Sequence, residues 1–268
     1  MKWRLPKFLV WNNNPFPLPW DTAQIVLRLD DAVINPRALM NRFLGYEQNR
    51  NRIDLAADFA SRKALVFSFD GQAELIAALH ERWLARVRQY GGAVLSGRPE
   101  WRVLIGSGNH KVLDTGFALD HTNGLPIVPS SGLKGVVRAY AQAVEEAPLD
   151  LVNRLLGEDD EIAPPGDLIF FDGIPTEPPV IERDVLNPLY GDYYRGQSDA
   201  ATEKISARPS FFLTLGRDSH FTFAVASRSR DSDAVEQGAE WLAQALQTLG
   251  VGAKTSAGYG FWVIDGGA

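Results

Sequence analysis

The residues best suited to chemistry lie in two glycine-rich segments, each carrying a lysine. The first runs Pro129-Ser130-Ser131-Gly132-Leu133-Lys134-Gly135-Val136-Val137-Arg138. Proline sets the chain extended, Ser130 or Ser131 is placed to cap a helix, and Gly132 and Gly135 allow close backbone approach. A helix N-terminus offers N–H groups and partial positive charge to an anion such as a phosphate. Lys134 and Arg138, four residues apart, extend one cationic edge along that helix. The four-residue spacer and the Lys-Ser/Thr ending of a nucleotide-binding P-loop are both missing. Two readings stay open: a phosphate-contacting site, or a capped helix packed tightly on a sheet.

The second segment, Leu249 to Trp262, places Gly250, Gly252, Gly258 and Gly260 around Lys254 and Thr255 at the entry to a strand. Glycine weakens helix and strand alike, so these four must supply unusual dihedrals or leave room for another backbone. Gly258-Tyr259-Gly260-Phe261 partly matches the RNP1 pattern of RNA-recognition domains, but Ala257 stands at its basic position and Trp262 follows.

Candidates for catalysis are sparse. His80, His110, His121 and His220 are isolated, and only His110 and His121 share a loop, together with Asp114 and Asp120. An endoribonuclease using His121 or His110 is the rival reading. The acidic runs Glu158–Glu161 and Asp30-Asp31 read as solvated, no metal-ligand spacing is present, and no cofactor motif is found.

These segments need elements to hold them. Residues 1–20 are rich in Trp and Pro and read as an extended arm; Ala23–Leu29 reads as a strand and 36–62 as irregular helix. A helix is predicted from about Gln72 to Tyr90, with Leu75, Leu79, Trp83, Val87 and Tyr90 on one face. Trp101–Ile105 reads as a strand, and a helix from about Ser131 to Glu146 carries the stripe Leu133, Val136, Val137, Tyr140 and Val144. Gly166–Asp172 reads as a buried strand. Ser210–Leu215 and His220–Ala226, joined by Gly216-Arg217-Asp218-Ser219, read as a hairpin. A last helix buries Val235, Ala239, Leu242, Leu246 and Leu249 behind a capping-box entry at Asp233 and Glu236, and a strand follows at Tyr259–Ile264. Strand, helix, hairpin, helix, strand is the order of an α+β, ferredoxin-like or RRM-type βαββαβ core. One domain over 1–268 is expected, with 1–20 as an arm and 36–90 as a helical insertion.

The chain has 268 residues, 45% of them apolar, and no cysteine, which excludes disulfides, thiolate metal sites and cysteine nucleophiles. Its longest uncharged stretch is 13 residues, too short to span a bilayer, and no secretory signal opens it. A cytoplasmic protein is expected. The net charge of −6 is unevenly spread: residues 36–102 hold 11 Lys/Arg against 7 Asp/Glu, while 145–203 hold 3 against 15. Such asymmetry suits two faces with different partners, or an acidic set of solvated loops.

The pairing of a Pro-x-Ser-x-Leu-Lys-Gly-x-x-Arg helix start with a terminal Gly-x-Gly-x-Lys-Thr-x-x-Gly-Tyr-Gly-Phe loop resembles the RAMP superfamily of CRISPR-associated proteins. More narrowly, it is similar to the Cas7-like sixth subunits of type III-B (Cmr) effectors. Val103–Asn109, Gly116–Asp120, Gly124–Pro129, Phe170–Pro175 and Asp184–Tyr194 carry the same likeness, which covers roughly residues 100–264. Gly132 stands where the family usually has a second serine, and Leu189 where a histidine is common. The resemblance implies a non-enzymatic, RNA-binding subunit of an antiviral RNA-guided complex. Such a subunit touches guide RNA near its 3′ end and neighbouring RAMP subunits, and meets target RNA only indirectly. It implies RNA contacts from Ser130, Ser131, Gly132, Lys134, Gly135, Arg138, Gly252, Lys254, Thr255, Gly258 and Tyr259, with no metal and no cofactor. A protein-only assembly module is the further alternative.

Overall fold

Phe221–Ser227 lacks the alternation that would mark one wet face, and in the computed structural model all seven of its residues are buried. A strand of that kind must be covered on both sides. The structure describes residues 69–108, 116–158, 164–186 and 210–265, with the backbone of two short strands upstream. In chain order the elements are β1 (Tyr46–Asn49), β2 (Arg52–Leu55), α1 (Ala73–Gln89), β3 (Ala93–Pro99), α2 (Ser130–Ala143), α3 (Leu149–Leu156), β4 (Leu168–Pro175), β5 (Ile181–Leu186), β6 (Ser210–Leu215), β7 (Phe221–Ser227), α4 (Ser232–Thr248) and β8 (Trp262–Ile264).

The central sheet is antiparallel, in the order β4-β7-β3-β8. Numbered within the β3-α2-β4-β7-α4-β8 unit, that order is 2-3-1-4, the arrangement of a ferredoxin-like βαββαβ fold. The chain is therefore α+β, as its order of elements implies. Helices α2 and α4 pack on each other and on one face of the sheet, and α1 crosses β3, β4 and β7. Gly238 makes the α4 contact close, since a Cβ there would lie 2.8 Å from Leu168 Cδ1. Trp262 seals the same core edge-on against Phe221 and Phe223, with centroids 5.6 and 4.8 Å apart. Each such pair contributes about 0.5–1.5 kcal/mol beyond its buried area.

Several expectations are corrected. Ser210–Leu215 does not form a hairpin with β7. It pairs antiparallel with β5, from Ile181↔Leu215 to Leu186↔Ser210, in a separate two-stranded sheet inserted between β4 and β7. Composition identifies a strand but not its partner. Trp101–Ile105 is no regular strand either; the sheet uses Ala93–Pro99, and the later residues make isolated bridges, Val103 to Leu215 and Leu104 to Ala253. Within the stretch read as helix at 36–62, Tyr46–Asn49 and Arg52–Leu55 are paired strands. The apolar stripe of α1 holds in its middle, where Val87 is buried, Leu79 packs on the core and Trp83 is half-buried, and departs at its ends, where Ile76 is buried in place of Leu75, 44% exposed, and Tyr90 is 43% exposed. Helix α4 is capped by Asp231, whose carboxylate accepts the N–H groups of Asp233 and Ala234 at 3.0 and 3.4 Å, and not by an Asp233/Glu236 box. The last strand begins at Trp262 and not Tyr259. The arm at 1–20 and the strand at Ala23–Leu29 lie outside the described residues.

Candidate nucleic-acid interface

The start of α2 is fixed from β4. A break in register between Phe171 and Ile174 frees Gly173 to exchange backbone hydrogen bonds with Val128, at 2.9 and 2.8 Å. Pro129 then continues extended (φ −60°, ψ 135°) and the helix begins. Neither Ser130 nor Ser131 caps it through a side chain. The acceptor is instead Asp172 Oδ1, 2.6 Å from the Ser130 N–H. This carboxylate, which the sequence reading missed, sits where an anion would otherwise be drawn. Ser131, Gly132 and Gly135 are exposed, and Lys134 is half-buried. A Cβ at Gly135 would meet nothing within 4 Å.

Arg138 is placed differently from its expected role. Its Nη2 donates to the carbonyls of Leu156 and Gly157, at 2.9 and 2.8 Å. Those are terminal acceptors of α3, so the guanidinium closes a helix end.

The second segment behaves as its glycines imply. Gly250, Gly252, Gly258 and Gly260 all take positive φ, at 70°, 108°, 87° and 87°. At Gly252 the reason is contact as well as conformation, because a Cβ there would run into the Leu104 carbonyl oxygen. That oxygen accepts the Ala253 N–H at 2.8 Å. Lys254 itself is left-handed (φ 63°, ψ 33°) and precedes a single 3-10 turn, Thr255–Ala257. A non-glycine residue held there stores about 1–3 kcal/mol of strain, which the surrounding contacts must offset. The Lys254 ammonium lies 5.9 Å from the centre of the Phe212 ring.

The two segments meet. A Cβ on Gly132 would lie 3.6 Å from Val251 Cγ2, ordinary van der Waals contact. The start of α2 and the C-terminal loop thus border one region, although Arg138 is turned toward α3. Tyr259 is buried and does not offer its ring to solvent. Its hydroxyl donates to Asp184 Oδ2 at 2.6 Å, and its ring packs 4.9 Å from Trp101 and 6.0 Å from Phe212. Burial, then the hydrogen bond to Asp184, push the Tyr259 hydroxyl up to about 12.

Asp184 is also held by Arg102, whose Nη1 lies 2.7 Å from Asp184 Oδ2 while its Nε lies 2.5 Å from Glu182 Oε2. Burial opposes the charge on Asp184. The Tyr259 hydroxyl, the Val185 N–H and Arg102 outweigh it and hold this carboxyl below its ordinary range. For Arg102 burial again works against the charge, and the two carboxylates more than restore it. Backbone bonds complete the frame: Glu100 N–H to Phe261 O at 2.9 Å, Gly260 N–H to Arg102 O at 2.8 Å, and Val103 N–H to Leu215 O at 3.0 Å. The 100–105 segment therefore joins the β5–β6 sheet to the glycine loop.

Residues of the nuclease reading are dispersed. The Asp120 carboxylate accepts the N–H groups of Thr122 and Asn123, at 2.8 and 2.9 Å, and so builds a turn on which His121 is exposed. His80 lies against Trp83, and burial lowers its pKa. His220 Nε2 faces Glu177 at 3.7 Å. His110 and Asp114 lie outside the described residues. Among the described residues no group of three or more His, Asp or Glu side chains could hold a metal ion.

Comparison with known proteins agrees with this architecture. A curated protein of Pyrococcus furiosus, CRISPR system Cmr subunit Cmr6, is 29% identical over 219 residues, covering 59% of this chain and 64% of its own. The CRISPR system CMR subunit Cmr6 of Saccharolobus solfataricus is 26% identical over 172 residues, covering 61% and 55%. The chain thus spans under two thirds of the length of these relatives. In fold it is similar to a chain of the cryo-EM structure of the type III-B Cmr-beta bound to cognate target RNA. The TM-score there is 0.62 at 20% identity, over 78% of this chain and 72% of that one. The RAMP superfamily model matches residues 102–263, more than half of the sequence and both glycine segments, and the chain belongs to the RAMP superfamily.

Proposed function

We propose that this chain is an RNA-binding structural subunit of a type III-B CRISPR RNA-guided effector, contacting guide RNA near its 3′ end and neighbouring RAMP subunits. The observation that carries the reading is the meeting of the α2 start with the left-handed Lys254 loop, inside the region matched by the family model. Both named relatives are Cmr6 subunits, which supports the choice of complex. Lys134 and Lys254 supply charge to the phosphates, and the glycines let backbone N–H groups approach them. Sequence is not read by this protein, because guide–target pairing does that. The role is non-catalytic. No helix among the described residues is long and apolar enough to cross a membrane.

The test is RNA binding by the full chain, alone and assembled with its neighbours, in wild type and in the Lys134→Ala/Lys254→Ala double variant. Loss of affinity with a salt slope shallower by about 0.7 per cation removed supports the reading. Undiminished binding by the double variant refutes the site. Cleavage of RNA by the purified chain, abolished by His121→Ala, would replace the reading with the nuclease one.

A further inference from the structure

We propose that Trp101 is a stacking platform for an unpaired RNA base, set beside the Lys254 loop; the proposal rests on the RNA-binding reading above and names a contact it lacked. Four tryptophans fall among the described side chains. Trp241 and Trp262 are buried and Trp83 is half-buried, whereas Trp101 is 45% exposed. A single exposed apolar side chain is ordinary; what distinguishes this ring is how it is held and what lies around it.

The ring is also held in place. Hydrogen bonds from Glu100 N–H to Phe261 O and from Gly260 N–H to Arg102 O clamp the backbone on either side of it. The Tyr259 ring supports it at 4.9 Å, and Tyr259 is itself tied by Asp184, which is tied by Arg102. A rigid aromatic loses little entropy on binding, which is what a platform needs.

Its surroundings favour a base over other occupants. Trp101, Tyr259 and Phe212 form a row of rings, and the Lys254 ammonium lies over the far end of that row. The backbone N–H of Tyr259 returns to the Lys254 carbonyl at 3.3 Å, so the Tyr259 ring on which Trp101 packs shares one small loop with the cation. The guanidinium of Arg102, 5.1 Å from the centre of the Trp101 ring, is committed to Glu182 and Asp184. That cluster holds one positive and two negative charges, so it draws no phosphate to the ring itself. The ring suits the face of a base, while the phosphates follow the lysine. Stacking of this kind tolerates any base, as befits a subunit that reads no sequence.

The experiment uses the full chain and a short single-stranded oligoadenylate, with an abasic version carrying the same phosphates. Trp101→Ala weakens oligoadenylate binding by about 5- to 150-fold with an unchanged salt slope, and Trp101→Phe retains most of the affinity. The abasic strand binds wild type no better than it binds Trp101→Ala. Normal oligoadenylate binding by Trp101→Ala, alongside weakened binding by Lys254→Ala, overturns the stacking contact and leaves the RNA reading standing. Normal RNA binding with loss from the assembled complex also overturns it, and assigns the ring to a protein partner. Absence of RNA binding by wild type in both isolated and assembled forms overturns the RNA reading and the stacking contact together. Should Trp101→Ala fail to fold, equal affinity of wild type for the intact and abasic strands overturns the proposal.

Discussion

Tyr259 and Asp184, 75 positions apart, meet in a hydrogen bond of 2.6 Å that ties the C-terminal glycine loop to the inserted β5–β6 sheet. The phenol must stay protonated to donate, and the carboxylate must stay ionised to accept well. Both shifts follow that requirement: Tyr259 rises to about 12 and Asp184 falls. The consequence for stability has two edges. A tyrosine whose pKa is raised on folding contributes fully below its unfolded value near 10 and loses that contribution as pH climbs toward about 12. A carboxyl whose pKa is lowered contributes above its unfolded value near 4 and loses it as pH falls through the folded one. Denaturant melts of wild type and Tyr259→Phe should therefore differ at neutral pH and converge above about pH 12. A constant gap across that range would deny the bond its role.

Arg138 gives the clearest separation between folding and binding. Because its guanidinium serves the Leu156 and Gly157 carbonyls, Arg138→Ala should destabilise the protein by about 1.5–3 kcal/mol, the range for hydrogen bonds from a charged donor. Its salt slope for RNA should match wild type, whereas Lys254→Ala should make that slope shallower with little change in melting. A shallower slope for Arg138→Ala would return that residue to the phosphate-binding set.

Gly252 and Gly135 should respond in opposite directions to alanine. At Gly252 the left-handed backbone alone costs about 1–3 kcal/mol once a Cβ is present. The collision with the Leu104 carbonyl adds to that and breaks the bridge to Ala253. At Gly135 the site is an exposed helix position with open space above it, so alanine should raise stability by roughly 0.5–1 kcal/mol. A glycine that folding does not require leaves room for an approaching strand. Gly135→Ala should accordingly melt later and bind RNA more weakly; improvement in both would mean nothing comes close to that turn.

Local pattern made some of this visible beforehand. The stripe of α4, that of α2 up to Tyr140 (Val144 lies past the helix and is 45% exposed) and the four positive-φ glycines follow from spacing and from the conformational limits of residues with a Cβ. The βαββαβ class holds although two of the strands it was read from lie outside the central sheet. What stayed hidden depends on pairing across long separations. Ser210–Leu215 has the composition of a strand, with Phe212–Leu215 all buried, and the Gly216–Ser219 turn favoured β7 as its partner; its actual partner, β5, precedes it in the acidic region. Trp101–Ile105 has strand composition, yet it serves as a seam between β6 and the glycine loop. Asp184 lies in a stretch that carries the family likeness, but nothing local shows that Tyr259 and Arg102 close on it.

Asp172 was hidden for the same reason, and it bears most directly on how a phosphate could reach α2. Its carboxylate accepts the first amide of the helix, Ser130 N–H, from a strand 42 positions away. It thereby satisfies one terminal donor and places a negative charge where RNA would need attraction. Asparagine keeps an acceptor oxygen and removes the charge. Asp172→Asn should lower helix stability by about 0.3–1 kcal/mol through the lost charge–dipole term. It should also tighten RNA binding several-fold, most at low salt, where repulsion is least screened. Titration with a short single-stranded RNA at two ionic strengths, beside a thermal melt, reads both effects. Affinity unchanged at low salt would mean that the strand passes over the Lys254 loop alone, leaving the α2 terminus to its carboxylate.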